Sequence, residues 1–166
     1  GRCDWEKNPD GAIRVARSAG KRLIMILRVR PAEQEYFEHA VRPLLGPDVT
    51  LLGEITEEER NQWLARAKAV LFTSQWEEPF GLVMTEAMAC GTPVLAFPKG
   101  AAPEVILHGE TGFLCDSEDE MAAALSRVDE IDPKRCRQHV EANFSPQVCA
   151  ERYLEIYKAV VQEHSS

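Results

Sequence analysis

The chain lacks the glycine signatures of the commonest nucleotide sites. Its 166 residues hold no G-x-G-x-x-G, no Walker A run, and no G-x-S-x-G elbow that would present a serine nucleophile. Positive charge is in deficit: 19 Lys and Arg against 27 Asp and Glu leave a net charge of −8, with the acids scattered rather than gathered in a tail. That balance argues against a general binder of nucleic acid or anionic membrane, which needs a positive field. Cysteine is sparse: the five thiols, Cys3, Cys90, Cys115, Cys136 and Cys149, form no C-x-x-C and are odd in number. Reduced thiols and a cytoplasmic setting are therefore expected. Cys90 reads as a packed small hydrophobe, because no base is placed beside it. No histidine has zinc-ligand spacing with a cysteine, so no metal is assigned; His39, His139 and His164 fall on expected helices among polar neighbours, and His108 in a turn. There is no apolar run of ~18 residues and no signal-peptide pattern at the start, so this chain is expected neither to span nor to cross a membrane by itself.

What is present is the make-up of one packed domain, 45% hydrophobic and 28% charged. Short apolar runs alternate with helical stretches. Asn8 and Pro9 open a helix that stops at Gly20, and Leu23 to Leu27 reads as a buried strand. Pro31 begins a helix through Tyr36, Phe37, Ala40 and Val41 that ends near Gly46. Val49–Leu52 is a brief strand, and Thr56 with Glu59 makes a capping box for the helix through Trp63 and Leu64. Val70–Thr73 is the next strand, followed by a helix from about Gly81 to Ala89 that stops at Gly91. Val94–Phe97 and Gly112–Leu114 are further strands, separated by a short helical turn over Pro103–Leu107. Ser117 with Glu120 forms a second capping box, and two helices, from Pro133 toward Phe144 and from Pro146 to about Gln162, close the chain. Repeated βα units predict an α/β fold: one open, doubly wound parallel sheet, Rossmann-like, with C-terminal helices.

In such a sheet ligands sit beyond the carboxyl ends of the strands. The stretch after Thr73 stands out there. Its helix is apolar nearly all round and reads as interior, with Glu86 in the middle, and a buried carboxylate needs donors. Two vicinal sugar hydroxyls would serve; pairing with a core Arg or Lys is the alternative. Gly81 opens the helix, so the free amides of Gly81, Leu82 and Val83 would suit a diphosphate, unless Pro79 and Gly81 merely shape a turn. Glu78 precedes Glu86 at the mouth of the crevice, placed to accept from sugar hydroxyls, while Glu77 fits a solvated loop charge. Arg2 and Lys7 flank the loop into the first helix and would neutralise a diphosphate, though a lysine before a helix is more often simply solvated. Glu104 opens the short helical turn as a dipole partner or loop anchor.

The run from Glu78-Pro79-Phe80-Gly81 through Glu86-Ala87-Met88-Ala89-Cys90-Gly91-Thr92-Pro93-Val94 resembles the E-x7-E signature of retaining GT-B glycosyltransferases of family 4. Gly100-Ala101-Ala102-Pro103-Glu104 is similar to that family's GG-x-x-E turn, Gly109 to Leu114 to its G-x-x-G-x-L segment, and Gly1-Arg2 with Glu6-Lys7-Asn8 to its phosphate-binding start. The resemblance covers nearly the whole chain in order. It implies the C-terminal, donor-binding half of such an enzyme. Glu86 would bind the ribose; Glu78, Phe80 and Gly81 the transferred sugar; and Arg2, Lys7, Gly81, Leu82 and Val83 the diphosphate of a UDP- or GDP-type sugar. It implies no metal or other cofactor, and retention of anomeric configuration through front-side attack assisted by the departing phosphate. No catalytic side chain is assigned to this chain. The family's turn carries two glycines where this chain has Gly100-Ala101. The family also places a strand directly before Gly-Arg, so that strand and the N-terminal acceptor domain are expected to be absent here, and the isolated chain is expected to be inactive. A sugar-nucleotide epimerase of similar architecture and a non-catalytic nucleotide-sugar module are the rival readings; Glu78, Glu86 and the Pro-Phe-Gly spacing fit the epimerase poorly.

Overall fold

Local sequence chemistry sets most of the element boundaries. The computed structural model describes residues 1–164. Helix α1 (Pro9–Ser18) is capped by Asn8, whose backbone is left-handed (φ 51°, ψ 51°) and whose Oδ1 accepts from the Gly11 amide at 3.1 Å. Strand β1 (Leu23–Ile26) follows and pairs in parallel with β2 (Val49–Leu52), Leu23 opposite Val49. Between them the expected single helix is a broken segment: α2 (Gln34–Tyr36) is flanked by a 3-10 turn (Pro31–Glu33), a π turn (Phe37–Val41) and a second 3-10 turn (Arg42–Leu44). Pro43 accounts for the break, since it has no amide to donate and its ring collides with the carbonyl four residues back.

Helix α3 (Glu57–Arg66) carries the complete Thr56–Glu59 capping box. Strands β3 (Val70–Phe72), β4 (Val94–Ala96) and β5 (Gly112–Leu114) form a second parallel ladder in that order. Helix α4 (Leu82–Ala89) joins β3 to β4, and α5 (Ala102–Val105) precedes β5. Helix α4 ends as expected, Gly91 adopting φ 83° while its amide bonds the Met88 carbonyl at 2.9 Å. Helix α6 (Glu118–Ala124) has half the expected box: Ser117 accepts from the Glu120 amide, but the Glu120 carboxylate takes the Asp116 amide instead of that of Ser117. Helices α7 (Pro133–Phe144) and α8 (Pro146–His164) complete the described chain. Along α8, Tyr153, Leu154, Ile156 and Tyr157 are all exposed. No helix among the described residues is long and apolar enough to cross a membrane.

The α/β class and parallel strands are as expected, but the single sheet is not. Among the described residues there are two ladders, β1–β2 and β3–β4–β5, without ladder hydrogen bonds between them. Residues 1–8 lie across the seam. The Gly1 amino group donates to the Ile26 carbonyl at 2.6 Å, the Arg28 amide to Gly1 at 3.0 Å, and the Gln75 amide to Glu6 at 2.6 Å. This strap stitches the carboxyl ends of β1 and β3 together, which is the edge where a ligand would bind.

Candidate functional site at the strand ends

The loop after β3 is held from both sides. Thr73 and Ser74 are buried; Thr73 Oγ1 donates to the carbonyls of Lys7 and Asn8 at 3.1 and 2.9 Å, and Ser74 Oγ to that of Glu6 at 3.2 Å. On the other side the turn after β4 grips residues 75–78. Lys99 Nζ donates to Gln75 Oε1 at 2.8 Å, the Gly100 amide to the Glu77 carboxylate at 2.5 Å, and the Ala101 amide to the Glu78 carbonyl at 2.9 Å. Glu77 is therefore a cap for that turn and not merely a solvated charge. Gly100 has to be glycine: at φ 53° a Cβ would stand 2.4 Å from the Glu78 backbone nitrogen and oxygen. The Gly100-Ala101 departure leaves this grip intact, because the second position contributes only its amide.

Gly81 caps α4 in the left-handed conformation (φ 76°, ψ 67°), and Pro79 to Val83 line an open cleft of about 430 Å³ together with Lys7, Phe72 and Glu78. The first amides of a helix have no intrahelical acceptor and point outward with the positive end of its dipole. Glu86 follows Leu82 by one turn and so shares its face. Leu82 is 67% exposed and the Glu86 side chain 31%, so α4 is not interior all round; it buries Met84, Thr85, Ala87 and Met88 and turns its other face outward. A broader depression lined by Glu57, Asn61, Gln62, Cys90 and Arg137 lies away from the strand ends.

The predicted residues meet, though in pairs the sequence did not foretell. Lys7 Nζ donates to Glu78, so the cation expected at a diphosphate and the carboxylate expected at a sugar bind each other across the cleft. With both side chains about one quarter exposed, that pair contributes on the order of 1 kcal/mol. Glu86 accepts at Oε1 from Arg60 Nη2 at 3.0 Å, the counter-ion alternative to a purely ligand-bound carboxylate. Arg2 turns to its own loop, 2.9 Å from Asp4 and 3.2 Å from Glu6, and does not line the cleft. Phe80 meets Phe144 edge to face at 5.8 Å, which anchors the loop to α7. Arg60, Thr73, Ser74 and Lys99 were missed. Arg60 stands in the run Glu57-Glu58-Glu59-Arg60, which reads as solvated charge, and no spacing signal ties it to Glu86.

The remaining chemistry-bearing groups lie apart. Burial pushes the thiols of Cys3, Cys115 and Cys136 up to about 11, so none is a ready nucleophile. His139 is buried and not a surface residue, its Nε2 3.0 Å from the Val105 carbonyl and its Nδ1 3.2 Å from Asn143 Nδ2. Among the described residues no group of three or more His, Cys, Asp or Glu is placed to hold a metal ion.

The family model for glycosyl transferases group 1 matches residues 1–143. The chain belongs to that family. This glycosyl transferase domain is 38% identical over 120 residues to the D-inositol 3-phosphate glycosyltransferase of a Nocardioides strain, a match that takes in 68% of this chain and 26% of that protein. Its fold matches AviGT4, a glycosyltransferase involved in avilamycin A biosynthesis, with a TM-score of 0.79 and 31% identity over 98% of this chain and 50% of that one. It also matches Anabaena HepE, solved in complex with UDP and glucose, with a TM-score of 0.80 and 25% identity over 96% of this chain and 47% of that one. The domain thus has the fold of the C-terminal half of a GT-B glycosyltransferase, and spans about a quarter of the length of the curated relative.

Proposed function

We propose that this domain binds the donor of a retaining, family 4 glycosyltransferase: a nucleotide-diphosphate sugar of UDP or GDP type, whose sugar passes to an acceptor held by a separate N-terminal domain. The observation that carries the reading is the α4 N-terminus at Gly81 and Leu82 lining one cleft with Lys7 and Glu78, and Glu86 one turn beyond Leu82 on the same helix face. The leading amides of α4 suit the diphosphate, and Glu86 suits the ribose hydroxyls. Glu78 suits a hydroxyl of the transferred sugar once Lys7 turns from it to the phosphates. Lys7, with Arg2 swung from its loop carboxylates, would supply positive charge where it develops on the leaving group, in place of a metal. The UDP and glucose bound by HepE support the nucleotide-sugar class.

Calorimetry with UDP and GDP tests the site. Glu86→Ala is expected to weaken the tighter of the two by about 1–3 kcal/mol, the loss of a charged acceptor. Unchanged affinity would remove Glu86 from the site. A thermal-shift panel of UDP, GDP, ADP and dTDP with their sugar conjugates identifies the base, since a ligand that binds the folded state raises its melting temperature. Chelators are expected to leave binding intact, and a strict requirement for Mg²⁺ would overturn the metal-free reading. The anomeric configuration of the product made by the full-length protein decides between retention and inversion.

A further inference from the structure

Arg60 sits where its own hydrogen bonding is poorly served. Its Nη2 donates to Glu86 Oε1 at 3.0 Å and stands 4.0 Å from Glu57. Its Nε is shut off from solvent and has no hydrogen-bond partner. A buried guanidinium N–H without an acceptor carries a desolvation penalty, and such an exception in a folded protein calls for a cause. The contact with Glu86 is thus the one hydrogen bond, among the described residues, of a guanidinium whose Nε goes unserved.

The geometry on the Glu86 side is complementary. Arg60 engages only Oε1, and each carboxylate oxygen offers two lone-pair sites. The acceptor capacity that Arg60 leaves on the carboxylate is enough for two vicinal hydroxyls to donate. The single Nη2 bond ties one carboxylate oxygen to a planar guanidinium, a more directional donor than a lysine point charge. Glu86 itself hangs from a helix face that is partly exposed, with its side chain 31% accessible, so without a neighbour it would sample several rotamers.

We propose that Arg60 is the positioning residue of the ribose site: it holds the Glu86 carboxylate in one orientation before the nucleotide arrives, without touching the nucleotide. This rests on the reading of Glu86 as the ribose acceptor. The test is calorimetry on the full-length protein with UDP and GDP and their 2′-deoxy counterparts, comparing Arg60→Met, Arg60→Lys, Glu86→Gln and the Met/Gln double variant. Arg60→Met is expected to weaken the tighter ribonucleotide about tenfold and its 2′-deoxy form by less, with Arg60→Lys recovering part of the loss. Against the Glu86→Gln background the Met substitution should add less than about twofold. The same tenfold loss in that background would show that Arg60 acts on the nucleotide directly, and no loss in the single variant would show that Glu86 is oriented without it; either overturns the inference alone. Full affinity in Glu86→Gln, or no binding of either diphosphate by the unaltered protein, would bring down the ribose reading and the inference together.

Discussion

The two ladders differ in depth more than in length. In the second, Val94, Leu95 and Ala96 of β4 are each 0% exposed, and the surrounding core reaches from Phe72 and Met84 to Cys136 and Val140. In the first, β2 leaves Leu51 38% exposed, and the core beneath is a small group around Cys3, Ile13, Met25, Leu27 and Val41. The dense half carries the E-x7-E loop and its helix. The thinner half supplies the strap that bears Arg2 and Lys7. The candidate cleft thus takes Glu78 from the dense half and Lys7 from the strap.

The sharpest way to break this contrast is one methyl group in each half. At Gly112 on β5 a Cβ would stand 1.9 Å from the Val94 carbonyl oxygen, whereas at Gly53, just past β2, it would meet nothing within 4 Å. Gly112→Ala must push β5 off β4 and is expected to cost at least about 3 kcal/mol in urea unfolding. Gly53→Ala should stay within about 0.5 kcal/mol of the unaltered protein. Equal costs would mean that the halves are packed alike.

The same contrast decides what could be read in advance. The dense half was legible because its signals are local: Thr56, Ser117, Gly91 and the apolar runs of β3 to β5 mark their own boundaries. Gly81, Glu78 and Glu86 were legible because they lie close together on one loop and helix. The strap was not. Its place depends on Thr73 and Ser74 bonding carbonyls more than sixty residues away, and its effect on the sheet shows in no hydrophobic pattern. The pairings of Lys7 with Glu78 and Arg60 with Glu86 were hidden for the same reason, since side-chain partners across a fold leave no periodicity. Pro43 stands inside the apolar pattern that predicts one helix, and its ring and missing amide break that helix into turns.

A smaller effect separates the strap's cation from the carboxylate of the dense half. Lys7→Ala leaves Glu78 without its partner and removes a cation from the cleft. Binding of UDP or GDP should weaken by about 1–3 kcal/mol. Uridine and guanosine should lose less than about 0.5 kcal/mol, because they carry no phosphate for Lys7 to meet. Equal losses with and without phosphates would move Lys7 out of the phosphate role and make it a prop for the loop.

The finest test concerns what pins the strap to the thinner half. Glu33 is 5% exposed, and its carboxylate accepts from the Arg30 side chain, from the Arg30 amide at 3.0 Å and from the Cys3 amide at 3.4 Å. Those bonds, the Arg30 guanidinium foremost, hold its carboxyl down to about 2. A carboxyl depressed in the folded state contributes stability that is complete above the unfolded value of about 4.3 and is lost as pH falls from there through about 2. Glu33→Gln removes the titration, so the difference in urea midpoint between the two proteins should be largest above pH 5 and close as the pH is lowered toward 2. A difference that stays constant over that range would mean that Glu33 holds the strap by shape and neutral hydrogen bonding, and that charge plays no part in docking residues 1–8 onto β1.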